Sequence, residues 1–159
     1  MKTLSSHKVR QIATEIISLF FIILFMYAAF SKLLDYDVFV TQLEQSPFLS
    51  STAGLIAWGI PVLEIIIALL FFFPGFRLLG FYASFVLMSI FTIYIIAVLN
   101  FADSIPCSCG GVINSLSWNE HLIFNVACVI VALLGVVLWK NNMKSIKNKK
   151  HQFTGYEPV

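Results

Sequence analysis

Charge is what this chain has least of. Asp, Glu, Lys and Arg make up 11% of its 159 residues, against about a quarter in an ordinary soluble domain. Nearly all of that charge lies at the two ends or in connecting stretches, which leaves too little polar surface for a water-soluble globule and makes lipid the natural solvent. The net charge is only +2, and the basic residues flank apolar segments without forming a patch, so nothing points to nucleic acid and no nucleic-acid partner is expected. There is no internal repeat and no low-complexity segment. None of the apolar stretches shows the strict alternation of a barrel strand. The length suits one compact bundle and leaves no room for a second domain.

What remains is apolar. Hydrophobic residues make up 59% of the chain and the mean hydropathy is +0.90. A spanning helix needs about 20 mostly apolar residues, and four stretches supply them. They run over about residues 12–30, 54–73, 78–100 and 118–139, with Glu15 near the start of the first, Glu64 inside the second, and Pro74-Gly75 breaking the chain before the third. The sequence predicts an all-α integral membrane protein, a four-transmembrane-helix bundle. Residues 1–11 form an N-terminal segment, 12–140 the membrane domain and 141–159 a basic tail. Lys2, Lys8 and Arg10 precede the first helix, Arg77 sits between the second and third, and Lys140, Lys144, Lys147, Lys149 and Lys150 follow the fourth. Nine of the ten basic residues therefore fall on one side, with Lys32 alone on the other. Cytoplasmic loops hold the basic excess, so both termini are expected in the cytoplasm (N-in/C-in) and loops 31–53 and 101–117 outside it. Trp118 and Trp139 fit the interfacial aromatic belt. The basic start and Ala29-Phe30-Ser31 also fit a cleaved signal, but the apolar run is long for one.

The run Cys107-Ser108-Cys109-Gly110-Gly111 lies on the non-cytoplasmic side of that topology, where disulfides form and persist. A bridge across one intervening residue is strained, and strained, accessible disulfides are the labile, oxidising ones. Pro106 and the two glycines suit a tight turn that presents both sulfurs. A thiolate there also gains from the positive N-terminal end of the fourth helix. Three readings stay open for Cys107 and Cys109: a redox-active pair, a static staple of a short loop, and a metal site with His121 as third ligand. The last is a poor match to zinc spacing. Cys128, well inside the fourth helix at ~1.5 Å per residue, reads as a small apolar packing residue.

Polar groups at membrane depth are costly and are functional candidates by default. Glu64 lies near mid-membrane, three residues after Pro61. His121 and Asn125 are four apart and share a face of the fourth helix. Tyr27 and Tyr94 fall in the same outer half. A polar cluster of Glu64, Asn125 and one or both tyrosines is expected in the bundle interior beneath the cysteine loop, with interhelical hydrogen-bond glue as the plainer account. Asn119-Glu120-His121 also fits simple helix-start chemistry.

Several of these motifs occur together in one family. Ala28-Ala29-Phe30-Ser31-Lys32-Leu33-Leu34-Asp35, followed by Phe39 and Pro47, resembles the end of the first helix in DoxX-like and MauE-like membrane proteins. Pro61-Val62-Leu63-Glu64 is similar to their helix-two Pro-x-x-Glu, and Cys107-Ser108-Cys109-Gly110-Gly111 to the MauE motif Cys-Gly-Cys-Phe-Gly. The resemblance covers about residues 12–140 and implies a four-helix protein of the bacterial inner membrane, with the cysteine loop facing the periplasm and a role in periplasmic redox chemistry. MauE-type proteins are linked to disulfide formation in a partner enzyme, and the leading expectation is that Cys107 and Cys109 exchange with a periplasmic thioredoxin-like protein or client. The Cys-x-x-Cys and second cysteine pair of quinone-linked disulfide generators are missing, so no complete oxidase cycle is read. No motif requires a cofactor, although a quinone is compatible with the chemistry. The competing reading is a non-catalytic membrane subunit or assembly factor of a larger envelope complex, with the disulfide as a staple. A small-solute transporter is disfavoured, because inverted repeats and broken helices are lacking.

Overall fold

The computed structural model of the chain describes residues 2–46, 49–101 and 117–154. Among these every regular element is helical. Helix α1 spans Lys2–Leu34, the short α2 Tyr36–Glu44, α3 Ala53–Phe72 after a single tight turn at Ser50–Thr52, α4 Arg77–Phe101 and α5 Trp118–Thr154. Four of the five are long and apolar enough to cross a membrane: Lys8–Leu34, Ser50–Phe72, Arg77–Phe101 and Trp118–Lys144. Helices are the open-chain solution in lipid because every interior N–H and C=O is satisfied within the segment.

Two helices run further than their apolar spans. No proline or glycine interrupts residues 2–34, so α1 begins at Lys2. Helix α5 likewise continues past residue 140, where a tail was expected, as far as Thr154. Nothing in either sequence stops helix propagation at the bilayer edge.

The spans close into a ring in chain order. α1 packs against α3 and α5, and α4 against α3 and α5. Well under half of each span is buried within the bundle, and Ile12, Ile16, Ile23, Ile66 and Ile130 are among the large apolar side chains left outside it. In water such a surface would aggregate; in a bilayer it is the solvated face. Phe21, Phe25, Phe71 and Phe81 fill the interior almost without exposure. The Phe21 and Phe71 rings stack at 6.0 Å and Phe71 meets Phe81 edge-on at 5.0 Å. Gly135 lets α5 approach this core, since a Cβ there would stand 2.5 Å from Cδ1 and Cε1 of Phe81. Hydroxyls inside the spans bond back along their own helices, as Ser84 Oγ does to the Gly80 carbonyl (2.8 Å) and Thr92 Oγ1 to that of Met88 (2.7 Å).

The two ends of the bundle differ. At one, Arg77 pairs with Glu15, donates from Nε to the Phe71 carbonyl and lies over the Trp139 ring, while Lys140 lies over Tyr82. At the other lies α2, which the sequence left inside a loop. Its Phe39 and Leu43 bury against Ala53 and Ala57 of α3, and Tyr36 packs on Trp58 with ring centroids 5.5 Å apart. Positions 36, 39, 40 and 43 repeat at helical spacing, so one face of this short segment is apolar. At the same end Ser117 and Glu120 form a reciprocal cap that starts α5. Glu120 Oε2 accepts from the Ser117 backbone N–H at 2.8 Å, and the Glu120 N–H donates to Ser117 Oγ at 3.4 Å.

Candidate functional site

Helix α1 turns Phe21, Phe25, Ala28 and Lys32 inward at intervals of three and four, which makes one continuous stripe. Helix α3 does the same with Ala57, Pro61, Glu64, Ala68 and Phe71. Small residues at positions 28, 57 and 68 keep the two stripes close. Where the stripes face each other near the α2 end, Lys32 meets Glu64. Its Nζ donates to Glu64 Oε1 at 2.8 Å and to the Ala28 carbonyl, one turn back, at 3.2 Å. The Phe39 ring lies 6.0 Å from the ammonium. Lys32 is 9% exposed and Glu64 only 1%, so both charges are withdrawn from solvent and each depends on the other. The second carboxylate oxygen, Glu64 Oε2, is buried and has no hydrogen-bond partner. Pro61 adds to the local polarity: it has no N–H, so the Ala57 carbonyl loses its usual partner one turn on.

Beside this pair is a cavity of about 290 Å³. Lys32, Glu64, Tyr94, Trp118, His121 and Asn125 all reach its wall, and the remainder of the lining is apolar. Of the residues singled out from sequence, Glu64, Tyr94, His121 and Asn125 are thus gathered on one cavity. Asn125 Nδ2 donates to the His121 backbone carbonyl at 2.9 Å, and Tyr94 Oη donates to Ser46 Oγ at 3.0 Å, which ties α4 to the segment after α2. Tyr27 is not brought to them. It lies off the inward stripe of α1 and is 54% exposed on the outer face. Lys32 is the residue sequence reasoning missed as a site component. It reads there as a stray outer-side charge, whereas in the structure it closes the last turn of α1 and points into the bundle.

Cys128 is a free, buried thiol in the core with Leu87 and Met88. Cys107 and Cys109 lie outside the described residues, as does the metal reading that joined them to His121. Among the described residues no three His, Cys, Asp or Glu side chains are grouped to hold a metal ion. The chain that carries Cys107 and Cys109 leaves α4 at Phe101 and re-enters at Ser117, at the end of the bundle where Trp118 and His121 line the cavity.

A family model described as methylamine utilisation protein MauE matches residues 10–138. The chain belongs to the MauE family. The matched region covers most or all of each of the four spans and includes the cysteine segment, and it supports the MauE part of the resemblance without specifically supporting the DoxX part. No curated protein and no solved structure shows a significant match. Membership in a membrane-protein family agrees with the four apolar spans.

Proposed function

We propose that this MauE-family protein supports thiol–disulfide exchange at the periplasmic face of the inner membrane, through Cys107 and Cys109. The observation that carries the reading is positional. The helix ends that hold the cysteine segment flank the same end of the bundle as a buried ion pair and a cavity, features that the bilayer would not tolerate without compensation. The excess of Lys and Arg toward the opposite end supports a periplasmic location for the cysteines. Exchange needs no cofactor. A thiolate of the pair attacks one sulfur of a partner disulfide, a mixed disulfide forms and one partner thiolate leaves. The second cysteine then attacks the mixed disulfide, the partner leaves as a dithiol, and Cys107–Cys109 is left oxidised with two electrons transferred to the partner. Run in reverse, the same steps oxidise a client. The partner is a periplasmic thioredoxin-like protein or a client enzyme, and α4 and α5 hold the pair at the membrane surface.

The test uses Cys107→Ser and Cys109→Ser in intact cells. One of the two single variants accumulates a mixed disulfide, visible as a higher-mass band that collapses on reduction, and the double variant forms none. The absence of any trapped species, with an unchanged redox state of envelope thiols in both variants, would refute the exchange reading. If in addition a stoichiometric membrane complex co-purifies with the double variant, the protein is a structural subunit of that complex.

A further inference from the structure

We infer that the cavity beside Glu64 is a binding site for a neutral, hydroxyl-bearing aromatic lipophile, a phenol-type molecule drawn from the bilayer. Four features converge on this class. First, the size fits a small ligand. A cavity of about 150 Å³ accommodates benzene, and this one is about 290 Å³, near the lower end of the range for ligand pockets. Second, the walls are aromatic as well as aliphatic, with Phe25, Phe39, Phe91, Phe124 and Trp118 all lining the space, and ring-on-ring contact favours a flat guest.

The third feature fixes the head group. Glu64 Oε2 is buried, lacks a partner, and belongs to a side chain on the cavity wall. A buried acceptor left without a donor is costly, and more so when charged, so the group it needs is a hydrogen-bond donor. The fourth feature sets the charge of that donor. Lys32 already neutralises Glu64 at 2.8 Å. An anionic head would add an uncompensated charge in a low-dielectric site, and a cationic head would compete with Lys32 for the same carboxylate. A neutral O–H satisfies Oε2 without disturbing the pair. The inference does not depend on Cys107 and Cys109 and holds whether or not they exchange.

The experiment compares two probes of nearly equal shape, 4-hexylphenol and 4-hexylanisole, which differ in the O–H donor. The full chain is reconstituted in phosphatidylcholine nanodiscs and binding is read by equilibrium dialysis, with empty nanodiscs as the partition background. The expected result is saturable binding of one 4-hexylphenol per chain, with the anisole weaker by on the order of tenfold to a hundredfold, as a hydrogen bond to a charged group implies. Ile60→Phe narrows the cavity at its wall and leaves the ion pair in place, so it should weaken the saturable component while the protein keeps its thermal transition. Lys32→Met/Glu64→Leu removes the acceptor without leaving a buried charge unpaired, and should bring the two probes to equal affinity. No saturable phenol binding above the empty discs, equal affinity of the two probes for the wild-type chain, or undiminished binding by Ile60→Phe would each overturn the assignment and leave water as the partner of Oε2.

Discussion

Removing Lys32 should destabilise this protein far more than removing any of its other cations. In Lys32→Met the carboxylate of Glu64 loses the partner of Oε1 while Oε2 already has none, so a buried charge is left with nothing to answer it. Breaking a buried pair on one side costs about 3–5 kcal/mol. Glu64→Leu should cost a similar amount, because the ammonium then keeps the Ala28 carbonyl and the Phe39 ring but no counter-charge. The double variant Lys32→Met/Glu64→Leu replaces both charges with apolar groups of similar size, and such replacements are neutral or even stabilising. The two single changes should therefore be strongly non-additive, with a coupling of about 6 kcal/mol or more, above the usual range for contacting residues. The pair formed by Glu15 and Arg77 gives the comparison, since the Glu15 side chain is 56% exposed. Glu15→Gln should cost less than about 1 kcal/mol. Equilibrium unfolding by SDS titration in mixed micelles, followed by far-UV circular dichroism, measures all four variants. Single-variant costs below about 1 kcal/mol that simply add in the double variant would refute the account of a withdrawn, mutually dependent pair.

Gly135→Ala should destabilise by about 1–3 kcal/mol, the usual cost of overpacking, because the fully buried Phe81 ring has nowhere to retreat from the new methyl; the same unfolding titration reads it. Tyr94→Phe removes the 3.0 Å bond to Ser46 at a cost of about 0.5–1.5 kcal/mol. Faster amide exchange should appear in α2 and the turn after it while the four spans stay protected. Phe39→Ala should cost about 3–5 kcal/mol and expose α2 to limited proteolysis, since Phe39 is the large side chain that seats it on α3. Ser117→Ala removes one half of the reciprocal cap and should cost about 1 kcal/mol, seen as fraying of the first turn of α5 in exchange measurements.

The spans could be read from sequence because each is a continuous apolar run whose length alone matches a bilayer. What face each span presents could not. When a helix is apolar all round, burial leaves no periodic mark, so the depth of Tyr27 was legible and its outward direction was not. Lys32 shows a second limit. A lysine at the end of a span carries a topology signal that masks any other role, and its partner Glu64 is 32 positions away, a distance that only tertiary packing can close. Helix α2 did leave a trace in the repeat of Tyr36, Phe39, Val40 and Leu43, but nine residues between two long apolar runs read most simply as a connection. The cap at Ser117 was equally available as Ser-x-x-Glu before an apolar run. The cavity had no signature at all, because its volume is a property of how side chains from every helix fail to meet.

The Lys32–Glu64 pair also bears on how the chain enters the membrane in the first place. A span holding a lone carboxylate is a poor candidate to partition into lipid by itself, and α3 holds Glu64 near its middle. The ammonium that makes it acceptable lies at the end of the preceding span, already synthesised. The first two spans are thus better suited to leave the insertion machinery as a hairpin than one after the other, with α2, packed on α3, as the connection between its arms.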